Sequence, residues 1–272
     1  MVALVGFVFG TLFGSFLNVV IFRIPKEESV IFTPSHCQSC NTPLKVWHNI
    51  PLLSWIFLRG KCSFCKEKIS TQYPLIELTS GIIFSFIAYK YGINFPAFMI
   101  AMSLLMLLAL SMIDIKYMMV PDSLNILAIL FGIMGAWSIE GFVENFKNAI
   151  LFAGAFTLLR FAISYYLTKK LSLQAQKTQT PWNKKFDRTP YVEAMGEGDI
   201  MVVAAMGALL GVELTLVAIF ISALLALPVL LYMQIKYKLQ QPSVPYVPFL
   251  SLATLLVMIF DAPIMHYIKA NY

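Results

Sequence analysis

The sequence predicts an all-α polytopic membrane protein of about eight transmembrane helices, with a polar, cysteine-bearing loop module between the first and second. Three observations point there. Of the 272 residues, 59% are hydrophobic and the mean hydropathy is +0.76, more apolar surface than a soluble domain of this length can bury. Only 12% of residues are charged, where globular chains average about 25%, and the deficit lies in runs near the ~20 residues that cross a hydrocarbon core. Lys and Arg, finally, gather in alternate loops, as orientation by positive charge requires.

The spans fall near 2–22, 75–92, 94–114, 123–139, 147–168, 199–211, 214–233 and 246–268. The first is apolar from Val2 with no positive segment before it, and so reads as a retained span rather than a cleaved signal. The sixth and seventh form one apolar stretch broken only at Gly211-Val212-Glu213. Two helices are expected there, because a single span would reverse the topology of everything downstream. This divides the chain into a first transmembrane helix (1–24), a loop module (25–74) and a seven-helix membrane domain (75–272). Inside the last, a Lys-, Gln- and Thr-rich loop at 169–195 reads as a mobile connector. The helices show no internal repeat, and no tract is of low complexity.

With the N-terminus outside, sixteen of the 20 Lys and Arg face the cytosol. They are Arg23, Lys26, Lys45, Arg59, Lys61, Lys66, Lys68, Lys116, Lys169, Lys170, Lys177, Lys184, Lys185, Arg188, Lys236 and Lys238. Lys90, Lys147 and Lys269 lie outside, and Arg160 sits within a span. The net charge of +6 therefore reports membrane orientation, and nucleic acid is not an expected partner.

Cys37-Gln38-Ser39-Cys40 and Cys62-Ser63-Phe64-Cys65 are two Cys-x-x-Cys pairs in the first cytosolic loop. Their spacing matches a tetrahedral four-thiolate zinc site, each pair forming one knuckle. A redox dithiol is the competing reading. A loop of this size buries too little core to fold on its own, so a metal substitutes for one. The zinc is expected to be structural, since four thiolates leave no open position. His36 and His48 read as surface residues rather than ligands.

Two carboxylates form the second constellation. Asp114, in Ser111-Met112-Ile113-Asp114-Ile115-Lys116, closes the third span. Asp199, in Met195-Gly196-Glu197-Gly198-Asp199, opens the sixth. The topology puts both at the cytosolic edge of the membrane, where ionisable groups are costly and usually functional. Two carboxylates at one depth can share a proton, one serving as base toward water and the other as acid toward a scissile carbonyl. Gly196 and Gly198 allow close backbone approach beside the acid. The plainer alternative makes Asp199 a helix N-cap, and Asp122, after Pro121, is read as an N-cap as well.

Gly6, Gly10 and Gly14 recur every four residues along the first span, with Asn18 continuing the stripe, and predict a small-residue packing face. Arg23 at its end reads as a snorkelling anchor. Arg160 is expected either to snorkel or to pair with an inward acid such as Glu77.

In this order the motifs resemble the type IV prepilin peptidases. The family's opening resembles Gly14-Ser15-Phe16-Leu17-Asn18-Val19-Val20 through Arg23 and Pro25. The cysteine pairs enclose Ile50-Pro51-Leu52-Leu53-Ser54-Trp55 and Arg59-Gly60, and Ile69-Ser70 and Tyr73-Pro74-Leu75-Ile76-Glu77 follow. The resemblance implies a bifunctional enzyme of the bacterial inner membrane that acts on prepilins and pseudopilins. It would remove their short basic leader on the cytosolic side and methylate the new N-terminus with S-adenosylmethionine. Asp114 and Asp199 would be the catalytic acids. Because the sequence has no Gly-rich nucleotide loop, no residue is assigned to the methyl donor. Nothing in the sequence sets an oligomeric state. A presenilin-like intramembrane protease also uses Gly-x-Gly-Asp, but its pattern has no need of a four-cysteine module. A proton-coupled transporter would place its acids and broken helices near mid-bilayer.

Overall fold

The structure, a computed structural model, describes residues 1–271 other than 33, 137–140, 178–191 and 238–243. Its helices are α1 (Val2–Arg23), α2 (Leu53–Phe57), α3 (Gln72–Tyr91), α4 (Phe95–Tyr117), α5 (Asp122–Gly135), α6 (Phe142–Lys177), α7 (Glu197–Tyr237), α8 (Val247–Ile259) and α9 (Asp261–Asn271). No strand occurs among the described residues, only isolated bridges at His36–Pro43 and Lys61–Lys68. By length and composition α1, α4, α6 and α7 can each cross a membrane, and α8 with α9 makes a fifth crossing if the bent pair counts as one.

Where each helix stops has a local cause. Asn94 caps α4, its side chain accepting from the Ala97 N–H at 2.8 Å, and Pro96 occupies the first turn, where a missing N–H costs nothing. The far end of α4 closes with Met118 in the left-handed region, its N–H donating to the Asp114 carbonyl at 2.9 Å. Inside α7, Gly211 takes φ 73° and ψ −178°. Four residues on, the Thr215 hydroxyl donates to the Met206 carbonyl at 3.2 Å. Nine residues of unbroken helix would separate those groups by ~13.5 Å, so the chain turns back on itself at Gly211.

Two expectations are refined. The stretch predicted as one span at 246–268 is broken into two helices, α8 and α9, bent by 77°. At the bend Asp261 accepts from the Ala262 N–H and pairs with Lys90 of α3, which also donates to the Met258 carbonyl. The connector predicted from residue 169 begins later, because Lys169–Lys177 continues α6. Lys, Leu, Gln and Ala are good helix formers and carry the helix past its apolar part. The remainder of that loop, to 191, lies outside the described residues.

The glycine stripe packs α1 on α3. A Cβ at Gly6 would stand 2.7 Å from the Phe84 carbonyl oxygen, one at Gly10 would land on the Ser80 carbonyl, and one at Gly14 would stand 2.8 Å from the Ser80 side chain. Gly81 of α3 is closed in the same way by Phe7 and Thr11 at 2.8 Å. Backbones this close gain dispersion contacts that lipid cannot match. The wider core joins Leu17 and Ile21 of α1 to Ile100, Leu110 and Ile113 of α4, Val202 and Met206 of α7, and Leu250 of α8. Large apolar side chains such as Phe9, Leu158 and Phe220 face outward, as a lipid-facing surface requires. Arg23 does not snorkel. It is buried and donates to the Ser29 carbonyl at 3.1 Å and the Pro34 carbonyl at 3.2 Å, tying down the chain as it leaves α1.

Overpacking this seam should destabilise the protein. Gly10→Leu is expected to cost about 1–3 kcal/mol, read as a lower melting temperature of the purified protein in detergent. Leu12→Ala, at an outward position 52% exposed, should leave melting nearly unchanged.

Candidate active site and candidate metal centre

The loop module between α1 and α3 is two copies of one turn. Cys37 N–H donates to the Thr42 carbonyl at 3.0 Å and Asn41 N–H returns to Cys37 at 2.9 Å. Twenty-five positions on, Cys62 N–H donates to Glu67 at 2.8 Å and Lys66 N–H returns to Cys62 at 3.1 Å. Asn41 and Lys66 both hold positive φ, 54° and 62°. These turns bring Cys37, Cys40, Cys62 and Cys65 together with all four sulfurs inside 4.8 Å and the Cys37–Cys65 pair at 3.8 Å. Four thiolates ~2.3 Å from one ion in a tetrahedron stand about 3.8 Å apart, so the donor set fits zinc. Neither His36 nor His48 joins it.

The turns also favour thiolate. Side-chain and backbone contact with Thr42 holds the Cys40 thiol down at about 6, and backbone N–H groups of Cys65 and Phe64 lower Cys62. Cys65 receives the Glu67 backbone bond, which lowers it, but desolvation and the other three sulfurs outweigh that and raise it to about 12. A cation at the centre removes the repulsion that keeps the last thiol protonated.

Between the knuckles, α2 is held from both ends. The Trp55 ring lies over Gly60, whose φ is 66° and where a Cβ would stand 2.9 Å from the indole. Leu52, with φ 61°, centres a tight turn closed by Leu53 N–H on the Pro51 carbonyl at 2.6 Å. Its own N–H donates to the Glu77 carboxylate of α3 at 2.7 Å. Glu77 is thus the tie between module and membrane helix, a role the sequence pattern did not reveal. The buried Asn18 of α1 donates to the Tyr73 carbonyl in the first turn of α3 at 3.2 Å and so fastens the two helices just below the module.

The two acids stand on α4 and α7. Asp114 is buried in the last turn of α4. Its Oδ2 accepts from the Val247 N–H at 3.1 Å, so the first turn of α8 is set against this carboxylate. One turn earlier on α4, the Ser111 hydroxyl meets the Ser251 hydroxyl at 2.8 Å and fastens α4 to α8. Tyr246, just before α8, meets the Ser222 hydroxyl of α7 at 2.9 Å. Asp199 is half-buried in the first turn of α7 and lies within Coulombic reach of Asp114. Gly198 permits the approach: a Cβ there would strike the Val120 side chain in the link between α4 and α5. At Gly196 the nearest atom to such a Cβ is the Asp199 carboxylate at 3.5 Å.

Asp199 therefore sits inside its helix rather than capping it. Asp122 is the first residue of α5, exposed, and makes no side-chain cap bond, since Pro121 holds the N-cap position. Its charge favours the helix end through the dipole alone. Arg160 does pair with acids, as one of the two expectations had it, but with residues other than Glu77. It bridges Glu193 at 3.3 Å and Glu197 at 2.8 Å, next to the Gly-x-Gly-Asp turn. Sequence reasoning missed Val247, Val120 and Glu77, though the Val247-Pro248 pair at the start of an apolar run was a legible helix start.

The class is thus an all-helical membrane protein that carries a loop module with four clustered cysteines and, on α4 and α7, two carboxylates within Coulombic reach of each other. It matches the bacterial peptidase A24 N-terminal domain over residues 8–91 and the type IV leader peptidase family over residues 101–231. The prepilin leader peptidase/N-methyltransferase of Neisseria gonorrhoeae is 31% identical over 84% of this chain and 81% of its own length. That of Stutzerimonas stutzeri is 31% identical over 90% of this chain and 86% of its length, and that of Aeromonas hydrophila 28% over 98% and 93%. No solved structure matches significantly. The chain belongs to the type IV leader peptidase family.

The sulfur geometry predicts one zinc per chain in protein purified without chelators, measured by elemental analysis. Cys62→Ser, which removes the buried ligand, should lower that occupancy at least tenfold, and full zinc content in the variant would refute the four-thiolate assignment.

Proposed function

We propose that this chain is a bacterial inner-membrane aspartic endopeptidase that removes the leader of type IV prepilins and pseudopilins at the cytosolic face and methylates the new N-terminus. What supports the protease reading is that Asp114 and Asp199, from α4 and α7, lie within Coulombic reach of each other in a member of the leader peptidase family. Water held between two carboxylates can lose a proton to one while the other protonates the scissile carbonyl oxygen. The tetrahedral intermediate then collapses, the amide C–N bond breaks, and the leaving amine takes a proton from the dyad. The chain's own groups orient this chemistry. The Val247 N–H fixes one Asp114 oxygen, and Gly198 lets Asp199 approach.

In this reading the work divides along the chain, with residues 1–24 as the first crossing, 25–74 as the zinc-stapled module and 75–272 as the seven-helix peptidase. Counting the reversal at Gly211 as a boundary and the bent α8–α9 pair as one crossing makes eight spans, N-terminus outside. Zinc on Cys37, Cys40, Cys62 and Cys65 would shape the module. S-adenosylmethionine would supply the methyl group.

Asp114→Asn and Asp199→Asn should each abolish leader removal from a purified prepilin while the protein stays folded and inserted, because Asn cannot exchange a proton as a carboxyl does. Asp122→Asn should keep activity within a few-fold, since it lies exposed outside the pair. Methylation of a pre-cleaved pilin should survive in both dyad variants. An Asp199→Asn protein that trims prepilin near the wild-type rate would remove the assignment. For the topology, reporter fusions at Glu67 and Lys177 should read as cytosolic and one after Lys269 as external; a cytosolic signal at the last would contradict the span count.

A further inference from the structure

Residues 192–196, which lead into the helix bearing Asp199, lie against α6 and bend at Ala194 and Met195. Val192 N–H donates to the Thr168 hydroxyl at 3.1 Å, and Ala194 N–H donates to the Ser164 hydroxyl at 3.0 Å. Next, Arg160 reaches Glu193 at 3.3 Å and Glu197 at 2.8 Å. The acceptors and the cation therefore stand at 168, 164 and 160, every fourth residue on one side of α6. The spacing has a physical basis: four residues of helix rise ~6 Å, a distance that two residues of chain can span, since their reach is at most ~6.6–7 Å. Alternate N–H groups of the segment, those of Val192 and Ala194, thus fall into step with hydroxyls one turn apart. Ser164 is fully buried, and the Arg160 side chain is only 13% exposed.

We propose that Arg160, Ser164 and Thr168 are positioning residues that set the register of the Gly-x-Gly-Asp segment and so aim Asp199 at Asp114. The inference rests on the reading of those two acids as the dyad. A helix rotates ~100° per residue, so a start displaced by one position would swing Asp199 away from α4. Gly198 against Val120 fixes the segment on one side, and the α6 ladder fixes it on the other. Partly exposed ion pairs such as Arg160–Glu197 contribute little to global stability. Their effect here lies in where the helix begins, and a small displacement of a catalytic group is enough to slow chemistry by up to about a hundredfold.

The test uses the full chain in detergent with a purified prepilin, scoring kcat and KM for Arg160→Ala, Ser164→Ala, Glu197→Gln and the double variant Arg160→Ala/Glu197→Gln. Asp199→Asn and methylation of pre-cleaved pilin are run alongside. Expected is a fall in kcat of about 10–100-fold for Arg160→Ala and Ser164→Ala, with KM within about twofold and methylation unchanged. The double variant should be no slower than Arg160→Ala, because the two groups act through one contact, and Arg160→Lys should recover part of the loss. If Arg160→Ala is not obtained folded, Ser164→Ala and Glu197→Gln carry the same expectation. Wild-type kcat in the ladder variants, a change in KM alone, or additive losses in the double variant would overturn the proposal. An active Asp199→Asn instead removes the dyad. An inactive Asp199→Asn beside fully active ladder variants removes only the ladder.

Discussion

Asp114 Oδ2 accepts the Val247 N–H across 3.1 Å, and much of the bundle is arranged so that this bond exists. A buried carboxylate such as that of Asp114 has little water to solvate it and needs donors from the protein. The first turn of a helix is suited to this, with N–H groups that lack partners within the helix and a positive dipole end. Bringing α8 to Asp114 requires that α8 lie along α4, and the Ser111–Ser251 pair holds it there. It also requires the chain to come back from α7 beside Tyr246, where Ser222 meets it. The reversal at Gly211 makes that return feasible, because a straight α7 would end far from its own start.

Glycine serves the same end by two routes. On α1 it removes side chains so that two backbones touch, Asn18 continues that seam to Tyr73 of α3, and Glu77 of α3 holds the loop module through the Leu52 N–H. At Gly198 a single missing Cβ admits Val120, which draws the α4–α5 link and the start of α7 together. The two sites are built differently because their chemistry differs. The cysteine cluster is made by short-range turns, each closed by its own backbone bonds, and depends little on the bundle. The carboxylate pair has no local origin, since its members stand 85 positions apart on helices that only tertiary packing unites.

The helical class, the four cysteines and both acids were legible in the sequence because each leaves a local trace. Lipid imposes long apolar runs, a tetrahedral thiolate site imposes paired Cys-x-x-Cys, and an intramembrane acid stands out against apolar neighbours. Tertiary structure alone decided who meets whom. Arg160, Glu77 and Arg23 were alike in sequence in one respect, each a charge in or beside an apolar run. One bridges two glutamates, one accepts a backbone N–H from the module, and one caps two loop carbonyls. Partner choice follows from helix rotation and depth, which a sequence period constrains only to a face. The bend between α8 and α9 was hidden for a related reason: an apolar run records what the chain is immersed in and carries no sign of where Lys90 will pull Asp261 aside.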